Sequence, residues 1–515
     1  MPEPTPAAGP MEPGAGRVLI RDATILTVDA EDRLLDPGDL VFEDGAITHV
    51  GPADPDGEHR RGDFERVIDG SRRVVVPGFV NAHTHTYATL FKGSYELMPL
   101  DLWLVAMRAP TRALSEEQLY LSSLIADVEM LRTGTTTSLD HYFGNPALPE
   151  AGIGSAVRAA VEAGLRSAIA FVLMDMRWEE TLPLGELAAA SGAASDVTSR
   201  ETAQGIEAAR AFIEANGDVS PLVSCLIGPS AAHRCTEALL GACRELADET
   251  GAAIHMHVGE AKSHALQNRA LFGESLIARL DRIGVLGPDL SMAHCVWLDD
   301  DELDRIARRG ATVVHNPASN LKLGSGVARV REMLRRGVHV AVATDGPCSS
   351  DNFNMYEALR LAGLLHTSNQ VDYLDWLPAR RVLRMASIEG ARAAGLADRV
   401  GSLEVGKRAD LVLLRRDSLH WAARNDPFVQ LVYSENGSSI DEVYVDGRLR
   451  VSGGHVVGLD EEALFRAVGE ARDALEPSRR ESAATVAPIA GAVHEMWERL
   501  QGEPLDGVEP TSVFR

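Results

Sequence analysis

The stretch Val74-Val-Val-Pro-Gly-Phe-Val-Asn-Ala-His-Thr-His-Thr86 decides how this chain is read. An apolar run of this kind suits a buried strand, and it closes on two histidines, His83 and His85. Side chains two apart on a strand point to the same face, so the two imidazoles are placed to hold one ion together. Taken alone, a His-x-His pair is as readily a hydrogen-bonded turn as half a metal site. What closes the other apolar runs decides between the two.

The strand expected over Val75 to Ala82 is followed by seven runs of the same character: Thr135 to Leu139, Ser167 to Leu173, Leu222 to Ile227, Ala252 to Val258, Leu290 to Cys295, Ala311 to His315 and Val338 to Thr344. They are separated by helical stretches such as Ser115 to Arg132 and Leu298 to Arg309. Runs apolar on both faces and alternating with helices predict parallel βα units. Eight of them predict a (β/α)8 TIM barrel of the α/β class, with a doubly wound open sheet as the alternative.

A barrel carries its chemistry at the carboxyl ends of its strands. The first strand ends in His83 and His85, the fifth in Ile254-His-Met-His-Val-Gly-Glu260, the sixth in Met292-Ala-His-Cys295 and the eighth in Val342-Ala-Thr-Asp-Gly-Pro347. His83, His85, His257 and Asp345 form a nitrogen and oxygen set suited to one divalent ion, Zn2+ or alternatively Fe2+, with a position left for water. Glu260 and His294 remain for proton traffic. His255 faces the same way as His257 and is a competing ligand set deeper in the strand. His141, at the end of the second strand, either orients a ligand or packs.

Composition bounds the rest. The 515 residues, 45% hydrophobic and 24% charged, suffice for one large domain and a smaller one. Fifty basic against 75 acidic side chains give a net charge of −25, which argues against nucleic acid or an anionic membrane as partner. Five cysteines without Cys-x-x-Cys spacing indicate no disulfide framework and fit a cytoplasmic location. Cys295 and Cys348 lie near the expected mouth of the barrel, with nothing to make either a nucleophile. The N-terminus lacks a signal-like pattern, and no run approaches the roughly 18 apolar residues of a spanning helix.

Residues 1–16 read as a flexible tail rich in Pro, Gly and Ala. Short β-type runs fill residues 17–75 (Val18 to Thr27, Leu40 to Val50, Arg72 to Val76) and return over 400–460 (Ala409 to Leu414, Glu442 to Val451). The two flanks are expected to share one small sheet domain around a barrel spanning 76–399. The segment 461–515 reads as helical, packing on the barrel or on a second subunit of a homo-oligomer.

These motifs resemble the metal-dependent amidohydrolases, in the branch of adenosine-type, S-adenosylhomocysteine, guanine and cytosine deaminases and of triazine hydrolases such as atrazine chlorohydrolase. The resemblance spans about Val18 to Val457. It is carried by Pro77-Gly-Phe-Val-Asn-Ala-His-Thr-His85, Leu90-Phe-Lys-Gly93, Gly134-Thr-Thr-Thr137, His257-Val-Gly-Glu260, Ala293-His-Cys295, His315-Asn-Pro-Ala-Ser-Asn-Leu-Lys-Leu-Gly-Ser-Gly326, Thr344-Asp-Gly346 and Gly401-Ser-Leu-Glu-Val-Gly-Lys-Arg-Ala-Asp-Leu411. It implies that His83, His85, His257 and Asp345 bind a single catalytic metal. Glu260 would shuttle protons, His294 would hold the attacking water or polarise the substrate, and the flanks would build a composite β-sandwich.

The expected reaction is attack of metal-bound hydroxide on an amino-bearing carbon of a nitrogen heterocycle (purine, nucleoside or pterin-like), releasing ammonia, with hydrolytic dechlorination or dealkylamination of a triazine as the alternative. Trp103, Asn320, Lys322 and the Ser349-Ser-Asp-Asn352 loop are candidates to touch this small-molecule substrate. After strand four many of the nucleoside-type members carry Pro-His-x-x-Tyr, whereas this chain has Ser230 at the histidine position. Substrate contact there must differ.

Overall fold

The computed structural model describes residues 16–144, 149–177, 180–183, 201–367, 372–505 and 507–508, so the tail expected over 1–16 lies outside them except for Gly16. The chain enters through five strands: β1 (Val18–Leu26), β2 (Leu34–Glu43), β3 (Ala46–Pro52), β4 (Arg66–Asp69) and β5 (Arg73–Pro77). It returns to the same sheet with β14 (Leu411–Arg415), β15 (Ile440–Val445), β16 (Arg448–Ser452) and β17 (His455–Val456). The run Leu40 to Val50 is therefore a hairpin. Its turn, Asp44-Gly45, and the Asp446-Gly447 turn between β15 and β16 both take positive φ, the requirement of a two-residue hairpin loop.

The sheet runs β17-β16-β15-β14-β5-β1-β2-β3, with β4 also paired to β1. The two chain ends meet along β5, which is parallel to β1 and antiparallel to β14, from Val74 opposite Leu414 to Pro77 opposite Leu411. Ile20, Ile25, Phe42, Leu411 and Leu413 bury its own core.

Between the two flanks lies the barrel: β6 (Phe79–Thr84), β7 (Thr135–Tyr142), β8 (Arg166–Leu173), β9 (Val223–Pro229), β10 (Ile254–Val258), β11 (Leu290–His294), β12 (Thr312–His315) and β13 (His339–Val342), all parallel and paired in chain order. The run read as one strand from Val75 to Ala82 is thus two strands in different sheets. Pro77 has no N–H with which to continue a ladder, and the Gly78 N–H turns to the Asp410 carbonyl. A side chain at Gly78 would collide with Thr136, 2.1 Å from its hydroxyl oxygen.

The seam between the last and first barrel strands is held largely by one side chain. Asn81 Oδ1 accepts from the Thr344 N–H (3.0 Å), and Asn81 Nδ2 donates to Thr344 Oγ1 (2.7 Å). Alongside, the Asp345 N–H donates to the His83 carbonyl (3.0 Å). Barrel and sheet are pinned together by buried Arg166 of β8, whose guanidinium donates to both carboxylate oxygens of Asp410 (2.9 and 3.0 Å) and to Asp446 (3.1 Å).

Helix 116–132 starts on a capping box in which the Ser115 hydroxyl accepts from the Gln118 N–H. Beyond the sheet, helix Glu461–Ala474 is followed by helix Glu476–Gly502, which packs along helix Leu100–Arg112 of the same chain. No helix among the described residues is long and apolar enough to cross a membrane. Asn81→Ala leaves a buried N–H without a partner at the seam. Chemical denaturation is expected to show a loss of about 1–3 kcal/mol.

Candidate metal centre and active-site cavity

The strand ends bring His83, His85, His257, His294, Glu260 and Asp345 to one mouth of the barrel, all but half-buried His257 fully buried. Two of these residues hold backbone conformations that L-residues seldom adopt, His294 at φ 76° and Asp345 at φ 66°. Each costs on the order of 1–3 kcal/mol. The cost is met locally: Asp345 is anchored by its bond to His83, and Cys295, the next left-handed residue, donates to the Val258 carbonyl at 2.9 Å. The result turns the chain outward at the strand end while aiming both side chains inward.

The proton positions follow from the hydrogen-bond network. His85 Nδ1 lies 2.7 Å from the His141 carbonyl and His257 Nδ1 2.7 Å from the Ser230 carbonyl. A carbonyl only accepts, so both Nδ1 atoms carry the proton and both Nε2 atoms present lone pairs. For His83 the chain of bonds is longer. The Ser291 hydroxyl donates to the Ile254 carbonyl and accepts from His255 Nδ1 (2.7 Å), which leaves His255 Nε2 to accept from His83 Nδ1 (2.7 Å). His83 Nε2 is then a third inward lone pair, buried and without a hydrogen-bond partner. Burial, reinforced by the surrounding imidazoles, holds His83 and His257 well below the ordinary histidine range, so both stay neutral.

These acceptors face one another. His257 Nε2 and His85 Nε2 are 3.3 Å apart, and Asp345 Oδ1 lies 3.5 Å from His83 Nε2 and 3.4 Å from His85 Nε2. Lone pairs and a carboxylate pointed at a common space repel one another unless a cation sits between them. Imidazole nitrogens and carboxylate oxygens are donor types that zinc binds. The residues present therefore fit a single divalent ion. His255 is not a competing ligand: it lies one layer deeper and serves as the acceptor that fixes His83.

His294 and Glu260 flank this group on the cavity side. His294 Nδ1 sits 2.9 Å from Asn320 Oδ1, which leaves its Nε2 free, 3.7 Å from Glu260 Oε2 and 3.9 Å from Asp345 Oδ2. Burial lowers the His294 imidazole's affinity for a proton. Burial pushes the Glu260 carboxyl the other way, up to about 8, so at neutral pH it carries a proton.

The cavity opening onto these groups has an empty volume of about 1080 Å³, part of it continuous with solvent. Trp103, Met107, Phe143 and Met174 give it apolar walls, and the stacked imidazoles of His233 and His264 (centroids 3.9 Å apart) give it a polar one.

The model of the amidohydrolase family matches residues 74–450. The chain belongs to the amidohydrolase family. It is 34% identical over 460 residues to the 5'-deoxyadenosine deaminase of Methanosarcina barkeri, covering 89% of this chain and 98% of that protein. It is 36% identical over 455 residues to the 5-methylthioadenosine/S-adenosylhomocysteine deaminase of Desulforudis audaxviator, covering 87% and 97%. Among solved structures, it is similar to an adenosine deaminase from Xanthomonas campestris with bound zinc (TM-score 0.80, 27% identity, 90% and 100% covered). It is also similar to an atrazine chlorohydrolase from Arthrobacter aurescens complexed with zinc (TM-score 0.79, 25% identity, 88% and 100% covered).

In this amidohydrolase, Trp103 and Ser349 of the residues expected to touch substrate line the cavity, whereas Asn320, Lys322 and Ser230 do not. Asn320 is fully buried behind His294 and accepts a hydrogen bond from its Nδ1–H group. Lys322 spans to the Cys348 carbonyl and Asp351, tying two loops together. Ser230 contributes its carbonyl to His257 rather than its hydroxyl to the cavity. His233, His264 and Met174 were not legible in the sequence, because they come from loops and a helix start where no periodicity marks them. Cys295 and Cys348 are buried thiols pushed well above the ordinary range by burial, which leaves them inert. Removing the support of His83 with His255→Ala should weaken metal binding about 10–100-fold while leaving the donor set complete. Chelator competition on the purified protein measures this.

Proposed function

We propose that this protein is a metal-dependent deaminase that removes the amino group of a nitrogen heterocycle of the adenosine type and releases ammonia. The observation that carries the reading is the convergence of three inward Nε2 lone pairs and Asp345, with protonated Glu260 beside them at the floor of an aromatic-walled cavity. A divalent ion held by His83, His85, His257 and Asp345, zinc by the donor set, would supply a water acidic enough to be deprotonated near neutral pH.

The remaining work is proton handling by the chain. Asp345 accepts the proton of the attacking water. Neutral His294, its Nδ1 proton committed to Asn320, presents a lone pair that accepts a hydrogen bond from that water and fixes its direction. Glu260 donates its proton to the ring nitrogen next to the attacked carbon, absorbing the charge that develops there. As the carbon–nitrogen bond breaks, Asp345 returns its proton to the departing amino group, which leaves as ammonia. The hydroxyl proton left on the carbon restores Glu260. Water adds and ammonia departs, with no change in the enzyme.

Relatives named as deaminases of 5'-deoxyadenosine and of 5-methylthioadenosine and S-adenosylhomocysteine support an adenosine-type ring, and Trp103 offers a flat face for it. Free cysteines throughout fit a reducing, cytoplasmic setting.

A panel of adenosine, 5'-deoxyadenosine, guanine and chlorinated triazines, with ammonia and chloride both measured, tests the reading. Ammonia from a purine is expected, and chloride release without ammonia would transfer the protein to the triazine hydrolases. Glu260→Gln should keep its metal and lose about 10²–10⁴-fold in kcat. Asp345→Ala should lose tight metal binding and turnover together, and a variant with native metal content and full activity would refute the assignment.

A further inference from the structure

We propose that the C-terminal helix Glu476–Gly502 is a positioning element that sets how tightly substrate is held, acting on three segments of the cavity wall from behind. The helix lies beyond the residues matched by the family model, 74–450. The inference rests on the cavity being the substrate site.

The geometry is repeated three times. In helix Leu100–Arg112, Leu100, Trp103, Leu104 and Met107 recur at the spacing of one helical face and line the cavity. Leu102 and Val105 project from another face of that helix into a cluster with Val493, Met496 and Leu500 of the C-terminal helix. In the segment after β8, Thr181 lines the cavity, its neighbour Leu182 enters the same cluster, and the Pro183 carbonyl accepts from the Arg499 guanidinium. After β10, His264 lines the cavity while Leu266 packs against the cluster. Lys262 Nζ donates to the Leu500 carbonyl at 2.6 Å, where a cation also suits the negative end of the helix.

Three stretches far apart in sequence therefore present at least one residue each to the cavity and a near neighbour to the same helix. Met496 is fully buried at the centre of the contact. The candidate metal donors ride on barrel strands β6 and β10 and on the loop after β13, whose positions are set by the ladder and by Asn81. Loosening the helix should thus move Trp103, Thr181 and His264 without disturbing the metal group.

The test uses the full-length, metal-loaded protein carrying Met496→Ala, with Arg499→Met as a second variant that removes an exposed contact should the first fold poorly. KM for the best purine substrate is expected to rise about tenfold with kcat within about threefold, the pattern of binding lost equally from ground and transition states. Metal content should stay at that of the wild type, and Met496→Leu should restore KM. Amide hydrogen exchange should quicken in 100–112 and 262–272 but not in β6 and β10. Unchanged KM and exchange would overturn the proposal, as would a parallel loss of kcat and metal, which marks a merely structural role. If the wild type turns over no aminated heterocycle, the deaminase reading fails by itself, and the exchange pattern still decides whether the helix braces the wall.

Discussion

Three histidines that donate their Nδ1–H groups outward, and so turn their Nε2 lone pairs toward one another, are the constraint on which the rest of the site depends. Each donation has a different acceptor: the His141 carbonyl for His85, the Ser230 carbonyl for His257 and the His255 ring for His83. These acceptors come from the ends of β7 and β9 and from the interior of β10, so three separate strands are recruited to fix three tautomers. An imidazole free to choose its tautomer would relieve the repulsion by turning a proton inward. Here that escape is closed, and the folded chain is left with a deficit of positive charge at one point that only a cation meets.

The same logic explains the strain. His294 and Asp345 sit where the strand ladder stops, and a regular continuation would carry their side chains along the barrel wall rather than across its mouth. Left-handed backbone at both positions reverses the chain within one residue. The seam bonds of Asn81 and the His83 carbonyl hold Asp345 in that turn, so the residue that closes the barrel and the residue that completes the site are fastened by the same few atoms.

Much of this was readable in the residues. Period-two placement puts His83 and His85 on one face, and the rule that chemistry sits at strand ends selects His257, Glu260, His294 and Asp345 from a chain with 16 histidines and 75 acidic residues. What alternation cannot report is depth and partner. His255 obeys the same periodicity as His257, yet one layer of the barrel separates an acceptor from a candidate ligand. Asn320 and Lys322 look like loop residues open to substrate, but their direction is set by His294 and Asp351, neither near them in sequence. The break at Pro77-Gly78 was hidden because both strands it separates are apolar. The apolar spacing of Val493, Met496 and Leu500 marks a packed helix face without naming the helix that receives it.

The meeting of the chain ends along β5 also imposes an order in time. During synthesis β5 is complete long before β14 exists, since Leu411 lies 334 residues after its partner Pro77. At about 5–20 residues per second the ribosome needs roughly 15 to 70 s to cover that distance. Throughout that interval Val74, Val75 and Val76, fully buried in the finished protein, offer an open apolar edge that another nascent chain can pair with. Because the Arg166–Asp410 bridge also waits for residue 410, the barrel can assemble its early strands but is not locked to its sheet until most of the polypeptide has been made. Protein yield should therefore respond to translation rate and to chaperone supply more steeply than the stability of the finished fold would suggest.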